Sequence, residues 1–191
     1  IKPEDLRYKI FMCHKDIRDL KGTAALDYIR WGEAQGYHQR PSCRGRPRWW
    51  QCPEETGNTF WGKELRERIA VFASFSPMFA DCRLYIATLG KALQAILNST
   101  LSILAGEANA RHYGGGGGPR SVMVYEVQQQ IVLAPSSLSK DTKLLLESAF
   151  NNMGSRKILP IFDEIHQPDR HKLDKVIFDV LGLTAGEREA V

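Results

Sequence analysis

The side chains best suited to chemistry do not gather into a catalytic or metal-binding pattern. The four cysteines stand at 13, 43, 52 and 82, and none belongs to a Cys-x-x-Cys pair. A tetrahedral zinc site needs such close pairs, so that two thiolates can meet one ion. Cys13 and His14 are neighbours, but adjacent side chains rarely reach the same metal. Cys43 and Cys52 are nine positions apart, which allows a loop site without indicating one. The expectation is reduced, partly buried thiols and no metal. The five histidines, at 14, 38, 112, 166 and 171, assemble no Ser/His/Asp or Cys/His set. A nuclease built on Pro-Asp and (Asp/Glu)-x-Lys is also unsupported. Pro168-Asp169 is present, but Asp174-Lys175 lacks the intervening residue, and Asp163-Glu164 precedes a histidine with no matching ligand pair.

Arginine supplies the positive signal. The net charge is +4, and residues 30–52 account for all of it. That stretch carries Arg30, Arg40, Arg44, Arg46 and Arg48 against Glu33 alone, with no lysine. The planar guanidinium forks onto phosphate or guanine, which an ammonium cannot do. Arg40 to Trp50 (RPSCRGRPRWW) mixes four arginines with two indoles, a combination suited to phosphate pairing and base or sugar stacking. A solvated basic loop is the competing reading. Adjacent residues of a strand face opposite ways, so structural roles are expected for Trp49 and Trp50, one of them in the core.

Five glycines, Gly114 to Gly118, form the single low-complexity segment. They are not a P-loop, because Pro119-Arg120 follows where Gly-Lys-Ser/Thr would stand. Nor do they suit a dinucleotide cradle, in which a strand leads into the glycines and a helix follows. Here a helix precedes and a strand is expected after. The run reads as pliable backbone flanked by Arg111, His112, Tyr113 and Arg120. Those four are candidate DNA contacts, and a merely mobile connector is the alternative.

The elements that must position these groups follow from periodicity. Tyr8–Cys13 reads as a short strand. Ala24–Gln35 reads as a helix with Ala25, Ile29 and Trp31 inward and Gly36 as its stop. Tyr37–Pro53 is loop-rich, interrupted by prolines 41, 47 and 53, with a possible short strand at Arg48–Cys52. Arg68–Ser74 and Cys82–Thr88 read as strands. A long core helix is expected from Lys91 to Ala108, with Leu93, Ile96, Leu97, Leu101 and Leu104 on one face. Ser121–Val127 and Gln130–Leu133 read as further strand. Beyond Ser137 two helical stripes follow: Leu145, Leu146, Ala149, Phe150 and Met153, then Leu173, Val176, Ile177, Val180 and Leu181. Gly182 should end the second helix, and Thr184 with Glu187 should box a last turn. The expected class is α+β, with a mixed or antiparallel sheet. The expected division is a domain over 1–135 and a helical appendage over 136–191.

Three stretches resemble the region that follows the catalytic domain in N6-adenine DNA methyltransferases of restriction-modification and phage-defence systems. One runs from Asp27-Tyr28-Ile29-Arg30-Trp31-Gly32-Glu33 and Gly36-Tyr37 to Arg40-Pro41-Ser42-Cys43-Arg44-Gly45-Arg46 and Trp49-Trp50. Another runs from Ala95-Ile96-Leu97-Asn98-Ser99-Thr100 through the glycines to Val124-Tyr125-Glu126. The third comprises Ile161-Phe162-Asp163-Glu164, Asp169-Arg170, Leu173-Asp174, Leu181-Gly182-Leu183 and Glu187-Arg188. The resemblance implies a target-recognition module that grips double-stranded DNA and positions an upstream, AdoMet-dependent catalytic domain of the same parent protein. It implies no enzyme in this chain. The catalytic (Asn/Asp/Ser)-Pro-Pro-(Tyr/Phe) loop needs adjacent prolines, and the nine prolines are all separated. No cofactor is therefore expected here, AdoMet belonging to the parent's catalytic domain. Arg40, Arg44, Arg46, Arg48, Arg111, His112, Tyr113 and Arg120 are the expected DNA contacts. A protein-interaction or scaffold domain binding a partner subunit is the alternative.

The bulk numbers agree with a globular chain. Its 191 residues are 43% hydrophobic and 25% charged, enough to build a core. No apolar run approaches the ~20 residues of a membrane span, and Ile1–Phe11 has no signal-peptide character. The first residue is not methionine, which suggests an excised fragment of a cytoplasmic protein.

Overall fold

Helix α1 (Ala24–Ala34) begins where Thr23 is still extended and its side chain accepts the Leu26 amide at 3.3 Å. It ends before Gly36, whose φ of 74° suits a residue lacking Cβ. Leu26, Ile29 and Gly32 are its buried positions. Leu26 and Ile29 join Cys13 and Leu20 in a core, against which Phe11, Trp49 and Trp50 pack. Gly32 is glycine for a steric reason: a Cβ there would run into the Trp49 indole. Trp31, expected inward, is 47% exposed. It stands two positions from Ile29, about 200° around the helix, and so faces away from the core. Tyr8–Cys13 forms no strand; Tyr8 and Ile10 are exposed, Cys13 is buried in the core and Phe11 packs against it. Arg48–Cys52 is turn and extended chain rather than strand.

These residues form one of two compact units, Pro3–Glu55; the other is Thr56–Val191. The computed structural model describes residues 3–65, 71–109, 111–112 and 120–191. The second unit starts with strand β1 (Gly57–Gly62), which the sequence reading missed. It is the middle of an antiparallel sheet in the order β3–β1–β4, with β3 at Val71–Met78 and β4 at Leu84–Ala87. Phe60 sits opposite Phe72 on one side and Ile86 on the other. The strands expected at 68–74 and 82–88 fall on β3 and β4, although residues 68–70 lie outside the described residues. A smaller antiparallel sheet follows the order β2–β6–β5, from β2 (Glu64–Leu65), β5 (Arg111–His112) and β6 (Arg120–Ser121). The strands expected at 121–127 and 130–133 do not extend it. After β6 the chain turns into α4 (Val124–Gln128), whose entry is held by the Met123 amide donating to Glu126 Oε2 at 2.8 Å.

The long helix expected over 91–108 is two: α2 (Lys91–Leu97) and α3 (Thr100–Ala108). Two polar residues divide it. Asn98 Nδ2 donates to the carbonyls of Val71 and Gln94 at 3.0 and 2.9 Å. Ser99 is extended (ψ 153°), and its hydroxyl accepts the Ser102 amide at 3.3 Å, restarting the helix. Leu104, counted on the core face, is 44% exposed as a result of the new direction.

Four helices follow: α5 (Lys140–Gly154), α6 (Ile161–Glu164), α7 (Pro168–Leu181) and α8 (Ala185–Ala190). Ala95 and Ile96 of α2 share one core with Leu146 and Ala149 of α5 and Leu173 and Ile177 of α7. Residues 136–191 are thus built into the second unit, and the chain divides after Glu55 rather than after residue 135. Leu145, Val180 and Leu181, expected inward, are exposed; the inner faces are narrower than the apolar stripes suggested. Gly182 (φ 67°) ends α7, and the Thr184–Glu187 box opens α8, both as expected.

An ionic network ties these helices together. The Arg156 guanidinium forks across two carboxylates, with Nη2 2.8 Å from Glu164 Oε1 and Nε 2.6 Å from Asp169 Oδ2. Its hydrogen bonds hold both carboxyl groups below the usual carboxylate range and hold the guanidinium above its own. Asp174 accepts from the Thr100 amide at 2.7 Å and from its hydroxyl at 2.6 Å. Arg170 Nη1 donates to the Asn98 carbonyl at 3.2 Å. The class is α+β, with small antiparallel sheets and a helical C-terminal part.

Candidate nucleic-acid interface

Past Gly36 the chain never regains a repeating structure before Glu55. Tyr37–Gln39 is a single 3-10 turn. The Arg40 carbonyl then accepts the amides of Cys43 and Arg44 at 2.8 and 2.9 Å, and the Cys43 carbonyl accepts that of Arg46 at 3.0 Å. Successive tight turns fit the prolines at 41 and 47, which cannot donate to a helix or an inner strand. The turns are anchored at their far end by the two tryptophans. Both pack on the core, and Trp49 Nε1 donates to Glu33 Oε1 at 3.2 Å. The arginines therefore sit on an irregular but fastened loop.

Their four guanidinium groups are not equivalent. Arg48 is committed internally: Nη1 donates to the His14 carbonyl at 3.0 Å and Nη2 meets Asp16 Oδ2 at 2.9 Å. Arg46 lends one N–H to the Gln51 carbonyl at 3.1 Å and remains exposed. Arg40 lies over the Tyr37 ring, 4.3 Å from its centroid, with its edges open to solvent. Arg44 is exposed and makes no side-chain hydrogen bond or ion pair among the described residues. Three cations are thus displayed, and one holds the loop.

The second expected group of contacts belongs to the other unit. Arg111 and His112 pair with β6 through their backbones, opposite Ser121 and Arg120. Tyr113 and the glycines lie outside the described residues. Arg120 is 9% exposed, with Nη1 3.6 Å from Glu107 Oε1. It lines a cleft of about 830 Å³, and its Nε and Nη1 have no hydrogen-bond acceptor among the described residues. A guanidinium buried in this way is not displayed to a surface ligand as Arg44 is. Arg40, Arg44, Arg46 and Arg48 thus share one loop of the Pro3–Glu55 unit, and Arg120 belongs to the other unit.

Sequence reasoning missed the aromatic side chains next to the arginines. Phe11 and Tyr28 rings stand 4.9 Å apart, and Tyr28 stacks on Trp31 at 5.5 Å and 22°. Trp31 meets Tyr37 edge-on at 5.5 Å and 82°, and Arg40 covers Tyr37. The available signal was the i, i+3 spacing of Tyr28 and Trp31 on the face opposite Leu26 and Ile29. Among the described residues no three or more His, Cys, Asp or Glu side chains converge on a metal position, and no helix is long and apolar enough to cross a membrane. Cys13 is buried, Cys43 and Cys52 are partly buried, and Cys82 is exposed. Comparison of the chain with protein-family models, with curated proteins and with solved structures finds no match to any of them.

Proposed function

We propose that this chain is a DNA-recognition module, gripping duplex DNA through Arg40, Arg44 and Arg46, and that it serves an N6-adenine methyltransferase whose AdoMet-dependent domain lies elsewhere in the parent protein. The observation that carries the reading is the division of labour in the arginine loop. Arg48, Trp49 and Trp50 spend their contacts on fastening it, which leaves three guanidinium groups exposed on a preorganised backbone. Ordering a flexible basic tail on DNA would cost more entropy than docking a fastened loop. Phosphate contacts orient the module, and any guanidinium that reaches a base edge adds sequence choice.

The test is exchange. Swapping the chain for its counterpart in a related methyltransferase should change the methylated sequence and leave the chemistry intact, because the flipped adenine is held by the catalytic domain. An unchanged site preference refutes recognition. A scaffold role has one observation in its favour: Leu144, Leu145 and Phe162 are 55%, 59% and 79% exposed on the C-terminal helices. Under that reading the chain binds a partner subunit tightly, DNA digestion leaves the complex intact, and the isolated chain has no affinity for duplex.

A further inference from the structure

The rings of Tyr28 and Trp31 lie outside the core of the N-terminal unit, Tyr28 meeting it through Phe11. Leu26 and Ile29 on the inner face of α1 are 6% and 0% exposed, whereas Tyr28 and Trp31 on the outer face are 51% and 47% exposed. Large aromatic side chains left half in water forgo much of the burial that makes them valuable inside a protein. These rings are nonetheless ordered, because each packs on the next: Tyr28 on Trp31, Trp31 on Tyr37 and Tyr37 under Arg40. A guest stacking on them meets surfaces that are already oriented. The surroundings select its charge. Residues 27–46 carry four arginines against Asp27 and Glu33, and Glu33 already accepts from Trp49, while Arg48 is paired with Asp16. Cationic guests are repelled, and a purely apolar one would strip water from guanidinium groups without offering acceptors. A flat, π-faced group on an anionic chain satisfies both the rings and the arginines. The Arg44 amide bonds to the Arg40 carbonyl at 2.9 Å, so a second arginine follows within one turn of the first.

We propose that the Tyr28–Trp31–Tyr37 ladder is a stacking platform for an unpaired nucleobase, with Arg40 and Arg44 taking the phosphates beside it. This rests on the DNA-binding reading above and adds the state of the DNA: one base outside the helix, supplied by a single strand or displaced from a duplex. Stacking tolerates any base, since all have a π-face, so the platform contributes affinity for an opened strand rather than sequence choice.

The experiment uses the full chain and three fluorescein-labelled DNAs of one sequence: a paired duplex, the same duplex with a single 2-aminopurine bulge, and a single strand. Anisotropy gives affinities, and 2-aminopurine quenching reports stacking. The wild type should prefer the bulged duplex to the paired one and quench the bulge. W31L, which keeps apolar bulk without a flat ring, should lower affinity for the bulge by roughly 5- to 150-fold. The ratio of bulged to paired affinity should then approach one. W31F should retain most of the preference. Y28L is the second variant, its folding and that of W31L being checked by circular dichroism. Single-strand binding that tracks the bulge indicates that any unpaired base suffices; a bulge preference without single-strand binding indicates a base displaced from a duplex. A wild type that binds paired and bulged duplex equally, or a W31L variant that keeps preference and quenching, overturns the platform alone. A wild type that binds none of the DNAs overturns the DNA reading and the platform together.

Discussion

Replacing Arg44 with alanine should flatten the salt dependence of duplex binding, and replacing Arg48 should not. The two side chains are four positions apart in one loop, but their environments differ. Arg44 is exposed with its guanidinium uncommitted, while Arg48 is fixed by the His14 carbonyl and Asp16. Each phosphate contact contributes about 0.9 to the slope of log K against log salt. With Arg40, Arg44 and Arg46 engaged, the slope is about −2.7, so raising salt from about 50 to about 200 mM weakens binding about 40-fold. R44A removes one contact, giving a slope of about −1.8 and about a 12-fold loss over the same interval. R48A leaves the slope where it was and acts on folding instead. It loses a charge-assisted hydrogen bond to a carbonyl and a largely exposed ion pair, together about 1–2 kcal/mol. Anisotropy titrations of the wild type, R44A and R48A at four salt concentrations give the slopes, and urea unfolding gives the stabilities. Equal slopes for R44A and the wild type, or a slope lost in R48A as fully as in R44A, would refute the assignment of roles.

Three further outcomes are expected. G32A should destabilise the Pro3–Glu55 unit by about 1–3 kcal/mol, because the added methyl meets the Trp49 indole and the core must shift; tryptophan-fluorescence unfolding with an unchanged midpoint would show that the ring yields freely. R156M should cost about 3 kcal/mol near neutral pH, since it strips the main counter-charge from Glu164, itself 3% exposed. The folded pKa values of Glu164 and Asp169 are lowered, so their stabilisation is present above the ordinary carboxylate range, about pH 4, and is lost as pH falls through the lowered values. Thermal midpoints of wild type and R156M should therefore converge as the pH is lowered, and a gap that does not narrow on acidification would contradict the linkage. S99A should speed hydrogen exchange at the Ser102 amide and cost about 1 kcal/mol, as the first turn of α3 loses its cap; exchange at the wild-type rate would show that the hydroxyl is not holding that amide.

What could be read from the sequence was local. Thr184 with Glu187, Gly36 and Gly182 gave up their positions because capping chemistry lies within a few residues of itself. Hydrophobicity alone puts Trp31 on the inner face, whereas its angle of about 200° from Ile29 puts it outside. Asn98 and Ser99 were read as part of one helix, because their competing hydrogen bonds involve Val71, far away in the chain, as well as Gln94 and Ser102 nearby. Strand β1 escaped notice since Gly-Asn-Thr-Phe-Trp-Gly looks like a turn until two neighbours flank it. At the candidate interface the arginine cluster was legible as composition. Its partition into displayed and committed members was not, because that depends on where His14, Asp16 and Tyr37 fall.

The bonds from Asp174 to Thr100 span 74 positions, and this separation has a consequence for biosynthesis. Translation delivers the N-terminus first. The core residues Cys13, Leu20, Leu26 and Ile29, with Trp49 and Trp50, all emerge within the first unit, which can close early. The second unit must wait. Its α2 lacks Leu173 and Ile177 as packing partners, and Thr100 lacks its carboxylate, until the segment carrying α7 has emerged. During that interval Ala95 and Ile96 are uncovered and open to chaperones or to aggregation. A nascent chain stalled before residue 168 should accordingly be protease-resistant over its first unit and cleavable beyond Glu55. The emergence of α7 thus sets when the sheets and their helices become a settled body.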